Sequence, residues 1–105
     1  MATQKYRFHR VATTRTVAEL GPALQFAQQV TRHLNEAHFR GELTFGMELF
    51  GQPRLHWYRD LTDLDATMQD NLKLLQDERY QRMLAESKGL WLDGGAKDTI
   101  IKLVE

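Results

Sequence analysis

The chain has 105 residues, no cysteine, and 14 basic against 14 acidic side chains, so its formal net charge is zero. A chain of this length suits one domain with one core, and the missing thiols exclude a disulfide framework, a thiolate nucleophile and a Cys-ligated metal. Neutral charge without a basic stripe argues against nucleic acid as a partner, and no apolar run reaches membrane-spanning length, which argues against a membrane. Met1 to Tyr6 lack the apolar centre of a signal peptide, so the expected setting is the cytoplasm.

Lys5 to Thr13 alternates, with Tyr6 and Phe8 on one side and Arg7, His9 and Val11 on the other. Period two with aromatic and β-branched residues predicts a strand. Thr16-Val17-Ala18-Glu19 has capping-box spacing, a hydroxyl followed three positions later by a carboxylate. Leu20, Leu24, Ala27 and Leu34 then recur at helical intervals, which predicts a helix to about Asn35. His33 and His38 flank its end, where positive character suits the helix dipole. They are expected to be surface or capping residues.

Leu43, Phe45, Met47 and Leu49 alternate with Thr44, Gly46, Glu48 and Phe50, so a second strand is expected here. Gly51-Gln52-Pro53 reads as a hairpin turn into a third strand, Arg54 to Arg59. There Leu55 and Trp57 face one way and His56 and Tyr58 the other, since strand side chains alternate. Leu64, Met68, Leu72 and Leu75 form an apolar stripe at helical spacing, expected to be buried. Asp77 is placed to cap a second segment with Tyr80, Met83 and Leu84 inward. The whole stretch, Leu64 to Ser87, is expected to be one kinked helix or two consecutive ones. Leu90-Trp91-Leu92 precedes an expected turn at Asp93-Gly94-Gly95. A last strand, Ile100 to Val104, is apolar enough to be expected covered on both sides.

The order is β-α-β-β-α-β over a single domain, 1–105. This is the ferredoxin-like arrangement of class α+β, a four-stranded antiparallel sheet with helices on one face. Tyr6, Phe8, Phe45, Met47, Leu55 and Trp57 should lie beneath the helices. The opposite face would carry Arg7, His9, Val11, Thr44, Glu48, Phe50, His56, Tyr58, Ile101 and Leu103. That mixture suits a semi-buried surface, and pairing two such sheets in a homodimer would cover it and could enclose a cavity.

His9 and His56 belong to strands that neighbour each other in such a sheet, so both imidazoles, Tyr58 and Glu48 can converge. A neutral imidazole can take a proton from a phenol or an enolisable carbon, while Tyr58 or Arg7 stabilises the oxyanion. The candidate catalytic residues are therefore His9, His56 and Tyr58, with Arg7, Glu48 and Phe50 as candidate substrate contacts. His9, His56 and Glu48 could also make a facial metal triad. No close-spaced ligand motif accompanies them, so no metal is expected.

The element order resembles the dimeric α/β-barrel superfamily along essentially the whole chain. Within it, His56-Trp57-Tyr58-Arg59-Asp60-Leu61, then Asp77-Glu78-Arg79-Tyr80 and Met83-Leu84, are similar to the NIPSNAP-like and antibiotic-biosynthesis-monooxygenase-like members. The resemblance implies a homodimer and a small aromatic or polyketide-like ligand. It implies a cofactor-independent oxygenase or a cyclase/isomerase, with a non-catalytic ligand-binding or structural dimer as the alternative. No cofactor is expected. Haem-degrading members of the superfamily carry a haem-binding His, and Leu64 to Lys88 contains none.

Overall fold

The protein is described by a computed structural model that covers residues 4–104. Four strands form one antiparallel sheet: β1 (Lys5–Thr14), β2 (Thr44–Met47), β3 (Arg54–Leu61) and β4 (Trp91–Leu103), in the order β2-β3-β1-β4. Three α-helices, α1 (Leu20–Leu34), α2 (Leu64–Leu75) and α3 (Glu78–Glu86), lie on one side of it. This is the expected ferredoxin-like arrangement.

The capping box at Thr16 forms: the Ala18 N–H donates to Thr16 Oγ1 at 3.1 Å, and the Thr16 N–H donates to the Glu19 carboxylate at 3.1 Å. It opens a short 3₁₀ turn, Val17–Glu19, that leads into α1. Burial of Ala23, Ala27, Val30, Thr31 and Leu34 follows the sequence periodicity. The helix then widens into a π-helical turn, Asn35–Phe39. The Asn35 side chain accepts from the Leu43 N–H at 2.8 Å and donates to the Leu43 carbonyl at 2.9 Å, which ties this turn to the chain entering β2. Arg40 and Gly41 both take positive φ, 53° and 79°, and the glycine adopts that region without a Cβ penalty.

Beneath the helices, Leu55 is fully buried and Trp57 nearly so. The Trp57 indole N–H donates to Thr31 Oγ1 at 2.9 Å, which links β3 to α1. Burying such groups is the main favourable term in folding. Asp63 and Asp77 cap α2 and α3 by accepting from Ala66 N–H and Tyr80 N–H at 3.1 and 3.0 Å. Tyr80, Met83 and Leu84 pack on the core as expected.

Several expectations are corrected. The stripe of Leu64, Met68, Leu72 and Leu75 is exposed. The helix instead turns Thr67, Asn71 and Leu74 toward the space between it and the sheet, so its apolar stripe and its inner face do not coincide. The second strand ends at Met47, so Leu49 and Phe50 fall in the loop before β3 and are highly exposed. The last strand starts nine residues earlier than expected, at Trp91 rather than Ile100, and Asp93-Gly94-Gly95 is an irregularity inside it. Gly95 allows that bulge, since a Cβ there would lie 2.9 Å from the Leu92 carbonyl oxygen and 3.2 Å from that of Thr13. As the sheet's edge, β4 is exposed on both faces within the single chain rather than covered on both.

Candidate functional site

The pairing of β1 with β3 sets Arg7 opposite Asp60, His9 opposite Tyr58 and Val11 opposite His56. These side chains share the face away from the helices. His9 Nε2 lies 2.9 Å from His56 Nδ1, and His56 Nε2 lies 2.7 Å from Glu48 Oε1. The His9 ring stacks on Tyr58 with centroids 4.6 Å apart. His9, His56, Tyr58 and Glu48 are therefore assembled in a single imidazole–imidazole–carboxylate line. Burial, then the neighbouring His56 and Arg7, lower the pKa of His9 below its ordinary value. The Arg54 guanidinium and then His56 hold the Glu48 carboxyl below the usual carboxylate range. The line is suited to holding a neutral His9 at neutral pH.

Two expected members are not part of it. Arg7 donates through Nε and Nη2 to the Asp60 carboxylate at 2.7 and 3.1 Å, so part of its fork is already engaged. Phe50 stands in the β2–β3 loop with 92% of its surface exposed.

A feature that the sequence did not reveal lies on the opposite face. Between the sheet and the helices is a cavity of about 1040 Å³. Its wall includes the rings of Phe8, Phe26, Phe39, Trp57, Tyr80 and Trp91 and the charged groups Arg10, Arg59 and Asp98. None of His9, His56, Tyr58, Arg7, Glu48 or Phe50 lines it. Arg10 forks onto Asp98 at 2.7 and 2.8 Å. Arg59 Nη2 donates to Asp70 Oδ2 at 2.9 Å, and the guanidinium carbon sits 4.2 Å above the Phe39 ring. Its Nε is buried without a hydrogen-bond partner among the described residues. The period-two pattern places Arg59 on the same face as Leu55 and Trp57. A charged residue in that phase, at an otherwise apolar face, was the available signal of a polar cavity.

The fold is shared with several solved structures. A NIPSNAP family protein of unknown function from Agrobacterium tumefaciens superposes with a TM-score of 0.82 at 17% identity, over 100% of this chain and 93% of that one. A candidate antibiotic biosynthesis monooxygenase from Nitrosomonas europaea gives a TM-score of 0.70 at 7% identity, covering 99% and 94%. A dimeric protein of unknown function with a ferredoxin-like fold, from Bacteroides fragilis, gives 0.69 at 8% identity, covering 94% and 96%. Neither a protein-family model nor a curated protein matches the sequence. The fold is thus the ferredoxin-like one of NIPSNAP and monooxygenase-like proteins, as the sequence resemblance implied. No helix among the described residues is long and apolar enough to cross a membrane.

Proposed function

We propose that the protein binds an aromatic or polyketide-like small molecule in the cavity between sheet and helices, and acts on it as a cofactor-independent oxygenase or cyclase/isomerase. The cavity carries this reading. At about 1040 Å³ it lies at the upper end of ligand-site volumes, and it combines apolar walls with few polar groups, the usual composition of such sites. Six aromatic rings offer stacking surface for a planar ligand. Arg59 stands on the wall with Nη2 on Asp70 and Nε 3.8 Å from Glu42 Oε2, and its guanidinium charge beside the cavity is fit to attract a phenolate or carboxylate oxygen and to stabilise an oxyanion. Asp98, kept ionised by Arg10 with both oxygens on that guanidinium, fixes the arginine at the wall. The activity class rests on the resemblance to monooxygenase-like proteins; the binding rests on the cavity.

Trp57 and Trp91 both line the cavity, so their fluorescence reports occupancy. Hydroxylated naphthalenes and anthrones should change that emission saturably, and Arg59→Gln should weaken the effect at least about tenfold, the loss of a charge-assisted hydrogen bond. A cavity-filling Leu84→Trp change should abolish binding while leaving the fold intact. Emission that ignores every such compound, in a protein with native circular dichroism, defeats the proposal. Oxygen uptake or product formation with a bound compound then tests catalysis.

A second reading is supported by the His9–His56–Glu48 line. In a homodimer joined through the open sheet faces, exposed Ile101 and Leu103 would be buried, and His9, His56 and Tyr58 would handle protons in the enclosed space. Light scattering that gives a monomer at micromolar concentration removes this reading. Full turnover in both His56→Ala and Tyr58→Phe removes the catalytic roles and leaves the cavity proposal standing.

A further inference from the structure

His33 and His38 are five residues apart, a spacing that an α-helix projects about 140° around its axis at 3.6 residues per turn. The π-helical turn Asn35–Phe39 changes that. By widening the turn it brings the two imidazoles edge to face, with centroids 6.2 Å apart. Such π segments are rare and concentrate at functional sites. Both rings direct Nε2 at the same atom, Asp77 Oδ2, each at 2.7 Å. The other oxygen of that carboxylate accepts from the Tyr80 N–H at 3.0 Å, so Asp77 is oriented by the helix it caps. All three side chains are largely buried, with 11%, 13% and 12% of their surface exposed. Their ligand atoms lie within 4.8 Å of one another.

We propose that His33, His38 and Asp77 form a site for a divalent transition-metal ion, which joins the end of α1 to the start of α3. Two imidazole nitrogens and one carboxylate oxygen are the donor set that suits zinc, or iron(II) in a facial arrangement. Zinc bonds of about 2.0–2.2 Å to each donor set tetrahedral donors about 3.3 Å apart, so the carboxylate and each ring must part by about 0.6 Å from their present 2.7 Å. The metal replaces the two hydrogens that now bridge Nε2 and Oδ2. Asp77 ligates through Oδ2 alone and keeps its cap through Oδ1. The residual exposure leaves room for water to complete the coordination. The site is separate from the aromatic cavity, whose wall contains none of these residues, and from the His9–His56 pair.

The test uses the whole chain stripped with EDTA and then titrated with zinc against a chromogenic chelator. One zinc per chain is expected, with melting raised by about 10 °C or more once free zinc exceeds the dissociation constant a hundredfold. Imidazole proton resonances of His33 and His38 should shift together, while those of His9 and His56 stay in place. The double variant His33→Ala/His38→Ala should lose at least about 100-fold in affinity, and His9→Ala/His56→Ala should retain it. No uptake against the chelator, undiminished binding in the His33/His38 variant, or shifts confined to His9 and His56 would each overturn the site. The resonance measurement is made on the unaltered chain, so it decides the matter even if the double variant does not fold.

Discussion

The two faces of the sheet differ in what they do with polar residues. Under the helices, the two arginines of the cavity wall are individually accommodated: Arg10 by Asp98, Arg59 by Asp70, Glu42 and the Phe39 ring. Across the sheet, polar groups accommodate one another in a shared line, from His9 through His56 to Glu48 and on to Arg54, whose Nη2 donates to Glu48 at 3.1 Å. The first arrangement surrounds a space; the second is a run of side chains bonded to one another. Each holds one buried guanidinium nitrogen without a hydrogen-bond partner among the described residues, Arg59 Nε and Arg54 Nε, so what separates the two faces is the space itself. A void with largely apolar walls suits a ligand. A face whose polar groups bond one another, flanked by exposed Ile101 and Leu103, is better suited to contact.

The largest test of this contrast is Leu55→Ala. Leu55 is fully buried on the helix side, and its truncation should cost about 2–5 kcal/mol by urea unfolding. By contrast Leu75→Ala, on a residue 70% exposed, should stay within about 0.5 kcal/mol. A large loss there would mean that the α2 stripe is covered in solution after all.

Asp77→Ala removes a helix cap and leaves His33 and His38 facing each other without an acceptor. A loss of about 1–3 kcal/mol in metal-free buffer is expected. Trp57→Phe keeps an aromatic side chain but loses the indole N–H that Thr31 accepts and part of the buried ring, and about 1–2 kcal/mol should be lost.

The smallest effect is a pH dependence on the open face. Burial lowers the His9 pKa below its ordinary 6.5, so the unfolded chain binds a proton more readily than the folded one. Stability should therefore be full above about pH 6.5 and fall as the pH drops from there toward the folded value. His9→Gln should flatten the curve over that window, measured by urea midpoints. An imidazole proton titration that places His9 above 6.5 would contradict this account of the open face.

Much of the architecture was legible because its causes are local. Period-two alternation at Tyr6 to Val11 and at Leu55 to Tyr58 set which side chains share a face and allowed His9 to meet His56; the register, His9 opposite Tyr58 and Val11 opposite His56, then brought them together. The capping signals at Thr16 and Asp77 act within a few residues of themselves, so they too survive folding unchanged. The α2 stripe misled for the opposite reason. Periodicity says which residues share a face, but not whether that face has anything to pack on. Phe50 and the early start of β4 were missed because strand ends depend on pairing partners, and the Gly95 bulge allows pairing to continue through a glycine-rich stretch that reads as a turn.

The sequence by itself thus determined the order of the elements and the two faces of the sheet, and put His9, His56, Tyr58 and Glu48 on one face. Only the tertiary structure decided where the void lies, that Arg59 reaches into it, and that His33 and His38 converge on Asp77. Those depend on how far the helices stand off the sheet and on a π turn locked by Asn35 and Leu43, contacts between residues distant in sequence or out of helical phase. Local pattern carries no information about such distances, because they are set by the packing of whole elements against each other.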